Sequence, residues 1–131
     1  RRRLADDPDA GKLAPAELVL AGHETMEAAL PADLHGRVAA VMFNLGYLPG
    51  ASSPLITLPG TTLAALQAAV RLLRGGGALT AVVYPGHEGG KEEAEAVEAW
   101  AAELPQTVAQ AVVYRFPQKP GSPYLIALNK R

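Results

Sequence analysis

Cysteine is absent from the 131 residues of the chain, which excludes disulfides, thiolate metal sites and a cysteine nucleophile. An excess of charge of either sign is missing too, since 12 basic side chains stand against 13 acidic ones for a formal net charge of −1. A chain so balanced is no general polyanion binder, and any contact with nucleic acid must be local. No apolar run approaches the roughly 18 residues that a bilayer span requires, and no n-region, h-region and cleavage-site pattern is present. Membrane insertion and secretion are therefore disfavoured, and a cytoplasmic location is expected. Hydrophobic residues make up 49% and charged ones 19%, which is too apolar for a disordered tail and sufficient for the core of one domain.

The chain opens on Arg1-Arg2-Arg3 with no methionine, which suggests processing or a piece of something longer. The triplet reads as the solvated end of a helix ahead of a nucleic-acid arm. From Ala16 to Ala21 an apolar run with Leu18, Val19 and Leu20 reads as a buried strand, and Val38 to Phe43, stopping at Asn44, as a second. From Thr61 the period changes. Leu63, Leu66, Val70 and Leu73 recur at threes and fours, which predicts an amphipathic helix capped by Thr61 or Thr62, with Gly75-Gly76-Gly77 as its stop and tight turn. Ala78 to Tyr84 is a third strand. A turn at Pro85-Gly86 leads to a helix from about Gly90 to Leu104, with Ala94, Val97, Ala101 and Leu104 as its stripe and Glu92 and Glu93 in its first turn, where the macrodipole favours them. Gln110 to Phe116 and Tyr124 to Leu128 leave no room between them for a crossover helix, so they are expected as antiparallel neighbours. The expected fold is an α/β sheet, mostly parallel, ending in an antiparallel hairpin, in a single domain over residues 1–131.

Ligands of an open parallel sheet bind outside the carboxyl ends of its strands. Three unusual segments fall there: Gly22-His23-Glu24, Asn44-Leu45-Gly46-Tyr47-Leu48-Pro49-Gly50, and Pro85-Gly86-His87-Glu88-Gly89-Gly90. The two His-Glu pairs invite a metal reading, yet adjacent side chains diverge and the spacing fits no helical ligand pair, so loop histidines bonded to backbone are preferred and no metal is expected. Gly86 and Gly89-Gly90 before a helix could cradle a phosphate, but neither GxxxxGK[ST] nor GxGxxG is present. Ser52 and Ser53 lie in a Pro/Gly-rich loop without a nucleophile elbow, which argues against acyl transfer. Asn44 stands out as a polar amide ending a buried strand. It either only caps that strand or offers, with nearby main-chain carbonyls, acceptors that hold the N–H groups of an amine and aim its lone pair.

Three stretches, HGRVAAVMFNLGYLPG (35–50), VVYPGHEGGKEEAE (82–95) and FPQKPGSPYLIALNK (116–130), together with Ile56-Thr57 and Thr61-Thr62-Leu63, resemble the class I S-adenosylmethionine-dependent methyltransferases. Within them the match is to a small bacterial family labelled rRNA methylases, members of which methylate the aminomethyl group of 5-aminomethyl-2-thiouridine at the tRNA wobble position. The resemblance implies that S-adenosylmethionine is the cofactor and the anticodon region of tRNA the partner, with a homodimer as a possibility. It also makes Asn44-Leu45-Gly46-Tyr47 the counterpart of the Asn/Asp-Pro-Pro-Tyr loop of amino-group methyltransferases, although Leu45-Gly46 departs from its prolines. Asn44, Tyr47 and His87 are then the expected catalytic residues, with His87 ranked first as proton acceptor because an unperturbed imidazole titrates at about 6.5. His23, Glu24, Asn44 and Leu45 would line the cofactor, and Gly46, Leu48, Pro49, Gly86, Glu88 and Lys91 the substrate. Arg115, Lys119 and Lys91 could meet tRNA phosphates or be merely solvated.

Members of that family begin with a strand, a Gly-rich turn of the T-x-G-N-G-x-D-T kind, a helix and a second strand ending in an acidic residue. None of that is in this sequence. The resemblance implies strand order 3-2-1-4-5-7-6 with strands 1 and 2 absent, so the isolated chain is expected to bind the cofactor poorly. Two other readings stay open. One is a non-catalytic Rossmann-like fragment that binds RNA or a partner; the other is a methyltransferase acting on rRNA. A metal-dependent hydrolase rests on the two His-Glu dipeptides alone.

Overall fold

The computed structural model describes residues 6–46 and 59–131. In chain order its elements are a short helix α1 (Met26–Ala29), strand β1 (Val38–Asn44), helix α2 (Pro59–Leu72), strand β2 (Leu73–Val83), helix α3 (Gly90–Glu103) and strands β3 (Ala109–Tyr114) and β4 (Tyr124–Lys130). The sheet order is β1-β2-β4-β3. β1 and β2 are parallel, as a crossover through α2 requires, whereas β2 with β4 and β3 with β4 are antiparallel. That order reproduces the 4-5-7-6 portion of the arrangement implied by the sequence, with the last strand inserted between β2 and β3.

Alternation along the strands sends Phe43, Leu79, Ala81, Val83, Ile126 and Leu128 to one face, where they pack with Ala65, Leu66 and Ala69 of α2 and Ala94, Val97 and Ala101 of α3. Alanines dominate the helix stripes, so both helices lie close on the sheet. Leu66, Leu79 and Ile126 are fully buried, and each contributes about 1.5–3 kcal/mol through burial. The opposite face carries Met42, 83% exposed, and Val112.

Three sequence expectations differ from the structure. The run Ala16–Ala21 forms no strand and lies outside the sheet, with Leu18, Val19 and Leu20 exposed. Hydropathy alone cannot specify a strand, which exists only by pairing, and β1 is the edge of the ladder among the described residues. The glycine triplet does not stop α2, which ends at Leu72 and passes directly into β2. Its three residues form an irregularity within β2, where the register moves from Val38↔Leu73 to Ala40↔Ala78, two steps along one strand against five along the other. Gly77 is required there, because a Cβ would come within 2.9 Å of the Arg74 carbonyl and 3.1 Å of the Ala39 carbonyl. α2 also begins earlier than expected, with Pro59 in its first turn, so Thr62 lies inside it and is no cap.

α1 is fastened to α2 by Arg71, whose Nε and Nη2 both donate to the Glu27 carboxylate, at 3.0 Å and 2.5 Å for the shortest contacts. That hydrogen bond, with a smaller coulombic contribution, holds the Glu27 carboxyl below the usual carboxylate range. A lowered folded-state pKa stabilises the fold above the unfolded-state value, and the contribution is lost as pH falls through the folded-state value. Arg71→Ala should return Glu27 to ordinary titration, seen as an upward shift of its side-chain carbonyl midpoint by NMR. The pair is exposed, so the expected change in melting temperature at neutral pH is small.

Candidate active site

Because β1 and β2 are parallel, their carboxyl ends share one rim. Asn44 is the last residue of β1, lies opposite Val82 and is exposed. Tyr84 follows two residues after Val82 and so shares its side of the sheet, from which its hydroxyl donates to Asn44 Oδ1. The amide is thus oriented by a neighbouring chain segment, with one lone pair of its carbonyl and its NH₂ group left to other partners. Leu45 continues the ladder, its N–H donating to the Val82 carbonyl at 3.0 Å. Its side chain is in the core, so, against the expectation that Leu45 lines a cofactor, that side chain does not face the rim. The apolar side chain is drawn inward by the same alternation that turns Asn44 outward.

Gly46 is buried and left-handed at φ +94°, and a Cβ there would come 2.9 Å from His87 Nε2 and 3.2 Å from Glu93 Oε1. Gly46 therefore rests directly on the turn after β2. In that turn His87 Nδ1 lies 2.9 Å from the Glu88 carbonyl. A carbonyl only accepts, so Nδ1 carries the hydrogen that it donates there. Nε2 is buried, close to Gly46 and Gly90. Beneath it Glu93, 2% exposed, accepts from the Thr62 hydroxyl at 2.8 Å on Oε2. Burial of a carboxylate requires such donors, and its place in the first turn of α3 adds the favourable end of the helix dipole.

The structure brings His23 to this end of the sheet as well, its ring edge-on to Phe43 with centroids 5.9 Å apart. Glu24 folds back on Gly22, whose Cβ position lies 2.4 Å from Glu24 Oε1. Gly86, Glu88 and Lys91 are exposed along the second turn. Gly86 meets the following hairpin connection, where a Cβ would come within 2.8 Å of the Gly121 carbonyl. Tyr47, Leu48 and Pro49, the remaining expected site residues, lie outside the described residues. Tyr84, Thr62 and Glu93 were not expected at the site. Nothing in a single sequence marks a tyrosine as the cross-strand partner of an asparagine, and Glu93 reads there as one of two acids favoured by the helix dipole.

A model of one protein family, described as "Putative rRNA methylase", matches residues 2–130. The chain belongs to that family. Among curated relatives of this rRNA methylase family member, the chloroplastic tRNA (mnm(5)s(2)U34)-methyltransferase of Arabidopsis thaliana is 44% identical over 109 residues, covering 83% of this chain and 39% of that protein. Among solved structures, the rRNA methylase of Clostridium thermocellum superposes with a TM-score of 0.80 at 34% identity, covering 88% of this chain and 60% of that one. A methyltransferase of Streptococcus mutans, solved in complex with SAH, gives 0.76 at 35% identity, over 88% and 61%. The chain thus spans about two fifths of the curated relative and about three fifths of the structural ones. Among the described residues, no helix is long and apolar enough to cross a membrane.

Proposed function

We propose that the protein is an S-adenosylmethionine-dependent methyltransferase acting on the aminomethyl nitrogen of 5-aminomethyl-2-thiouridine at the tRNA wobble position. The observation that carries this reading is the exposed amide of Asn44, fixed by Tyr84 at the carboxyl end of a parallel strand, in a chain 44% identical to a methyltransferase named for that nucleoside. The site chemistry fits the cofactor: an exposed amide carbonyl at the rim suits a cationic sulfonium and the N–H groups of an amine. When bound, S-adenosylmethionine supplies an electrophilic methyl group. His23 and Glu24, beside β1, would flank the cofactor, and Gly86, Glu88 and Lys91 would face the RNA.

The chain's own contribution is positioning. Asn44 Oδ1, with its remaining lone pair, accepts one amine N–H, and the main-chain carbonyls after it accept another, which points the nitrogen lone pair at the methyl group. An alkylammonium has no lone pair, so it must shed a proton before attack, and an amide cannot take it. His87 is reassigned here. Its Nε2 is buried behind Gly46, so the ring holds the Asn44 loop in place, and the proton passes to water at the exposed rim.

The test is transfer of labelled methyl groups by the full-length protein to tRNA from cells lacking the final wobble methylation, followed by nucleoside analysis. Label in 5-methylaminomethyl-2-thiouridine is the expected result. Label confined to rRNA would support the rRNA reading instead, and none in any RNA would refute both.

A further inference from the structure

A cavity of about 620 Å³ opens between α3 and the 115–123 connection, lined among others by Lys91, Glu98, Arg115, Phe116, Lys119 and Tyr124. Its interior is built. Glu98 Oε2 accepts from Arg115 Nη2 at 2.7 Å and from the Tyr124 hydroxyl at 2.8 Å, while the Arg115 guanidinium lies 4.5 Å from the Tyr124 ring centroid. Burial and, next, the bond to Glu98 push the Tyr124 phenol up to about 12, so it remains a neutral donor. With Arg115 and Glu98 neutralising each other, the mouth is left to Lys91, 3.9 Å from Glu95, and to Lys119, for which no ion pair is present among the described residues. Phe116 is 56% exposed, its ring at 6.1 Å from that of Tyr114 in an edge-on arrangement. An exposed aromatic beside a lysine such as Lys119 is the combination that unpaired nucleotides select, one stacking and the other meeting phosphate. It is also a local positive spot on a chain whose net charge is −1.

The cavity adjoins the candidate active site. Pro85 lines it, and the next residue, Gly86, lines with Tyr84 and His87 a smaller cavity that shares Gly121 with the larger one. We propose that the larger cavity takes an unpaired RNA nucleotide neighbouring the one to be methylated, its base stacked on Phe116 and its phosphate on Lys119. This rests on the reading of RNA as substrate. A volume of this size admits one nucleotide and excludes a duplex, so the target would be presented from a loop.

In the full-length protein, Phe116→Ala should raise the KM for an anticodon stem-loop RNA about tenfold. Neither kcat nor cofactor affinity should change, and Phe116→Tyr should restore the KM. Lys119→Ala should also raise it and flatten the dependence of log affinity on log salt by about 0.7. Unchanged KM and salt slope in both alanine variants would overturn the proposal. RNA affinity, read by fluorescence anisotropy, separates the two readings. A wild-type protein that binds the stem-loop with these dependences but methylates nothing refutes the proposed activity and leaves the cavity assignment standing; one that binds no RNA refutes both.

Discussion

Asn44→Ala is expected to lower kcat for methyl transfer about 10²- to 10³-fold, the loss typical when one preorganised hydrogen-bonding group is removed from a reacting centre. The affinity for S-adenosylmethionine, read by calorimetric titration, should change little, because the lost acceptor aims the amine and not the donor. Stability should also hold. Asn44 is exposed at the end of β1, and water replaces it as partner of the Tyr84 hydroxyl, so the expected change is within about 0.5 kcal/mol. Asn44→Asp keeps an acceptor for both Tyr84 and the amine and should recover part of the lost rate. Near wild-type turnover in the alanine variant would show that the amide only finishes a strand, and the catalytic assignment would fall.

What was legible in the sequence depended on how local its cause was. The apolar run 38–43 ending in a polar amide, the helix 90–103 with its alanine stripe and the proline-rich link between β3 and β4 each carry their own signal, and all are present. Asn44 stands out by its place at the end of a buried strand, whereas the sheet order came from the resemblance of whole motifs, since no period in a chain dictates which strands become neighbours. Failures occurred where the deciding partner is remote. Ala16–Ala21 has the hydropathy of a strand, yet a strand requires a ladder that the run cannot announce. Glu93 reads as an acid that the helix dipole favours, and nothing in the sequence announces that it is buried with Thr62, 31 residues earlier, as a donor to it. Tyr84 meets Asn44 only through the β1–β2 register, which the irregularity at the glycine triplet helps to set.

The dependence of the site on close packing gives the second large expected effect. Gly90 begins α3, and a Cβ there would stand 2.0 Å from the Tyr84 carbonyl and 2.9 Å from two atoms of the His87 ring. Alanine is ordinarily the better helix residue, so the substitution would help by a few tenths to about 1 kcal/mol were space available. The obstacle here is backbone oxygen, which cannot swing aside like a side chain. Either α3 retreats from the sheet or the turn carrying Tyr84 shifts. We expect Gly90→Ala to destabilise by about 2–3 kcal/mol, read in urea unfolding, and to lower activity as well, because Tyr84 orients Asn44. Gly60→Ala is the internal control. Gly60 lies in α2, is exposed, and has nothing within 4 Å of its Cβ position, so the same change should leave stability equal or raise it by up to about 1 kcal/mol. If both variants gained stability alike, the close approach of α3 to the Tyr84 turn would be wrong, and with it the role of His87 as the wedge beneath the Asn44 loop.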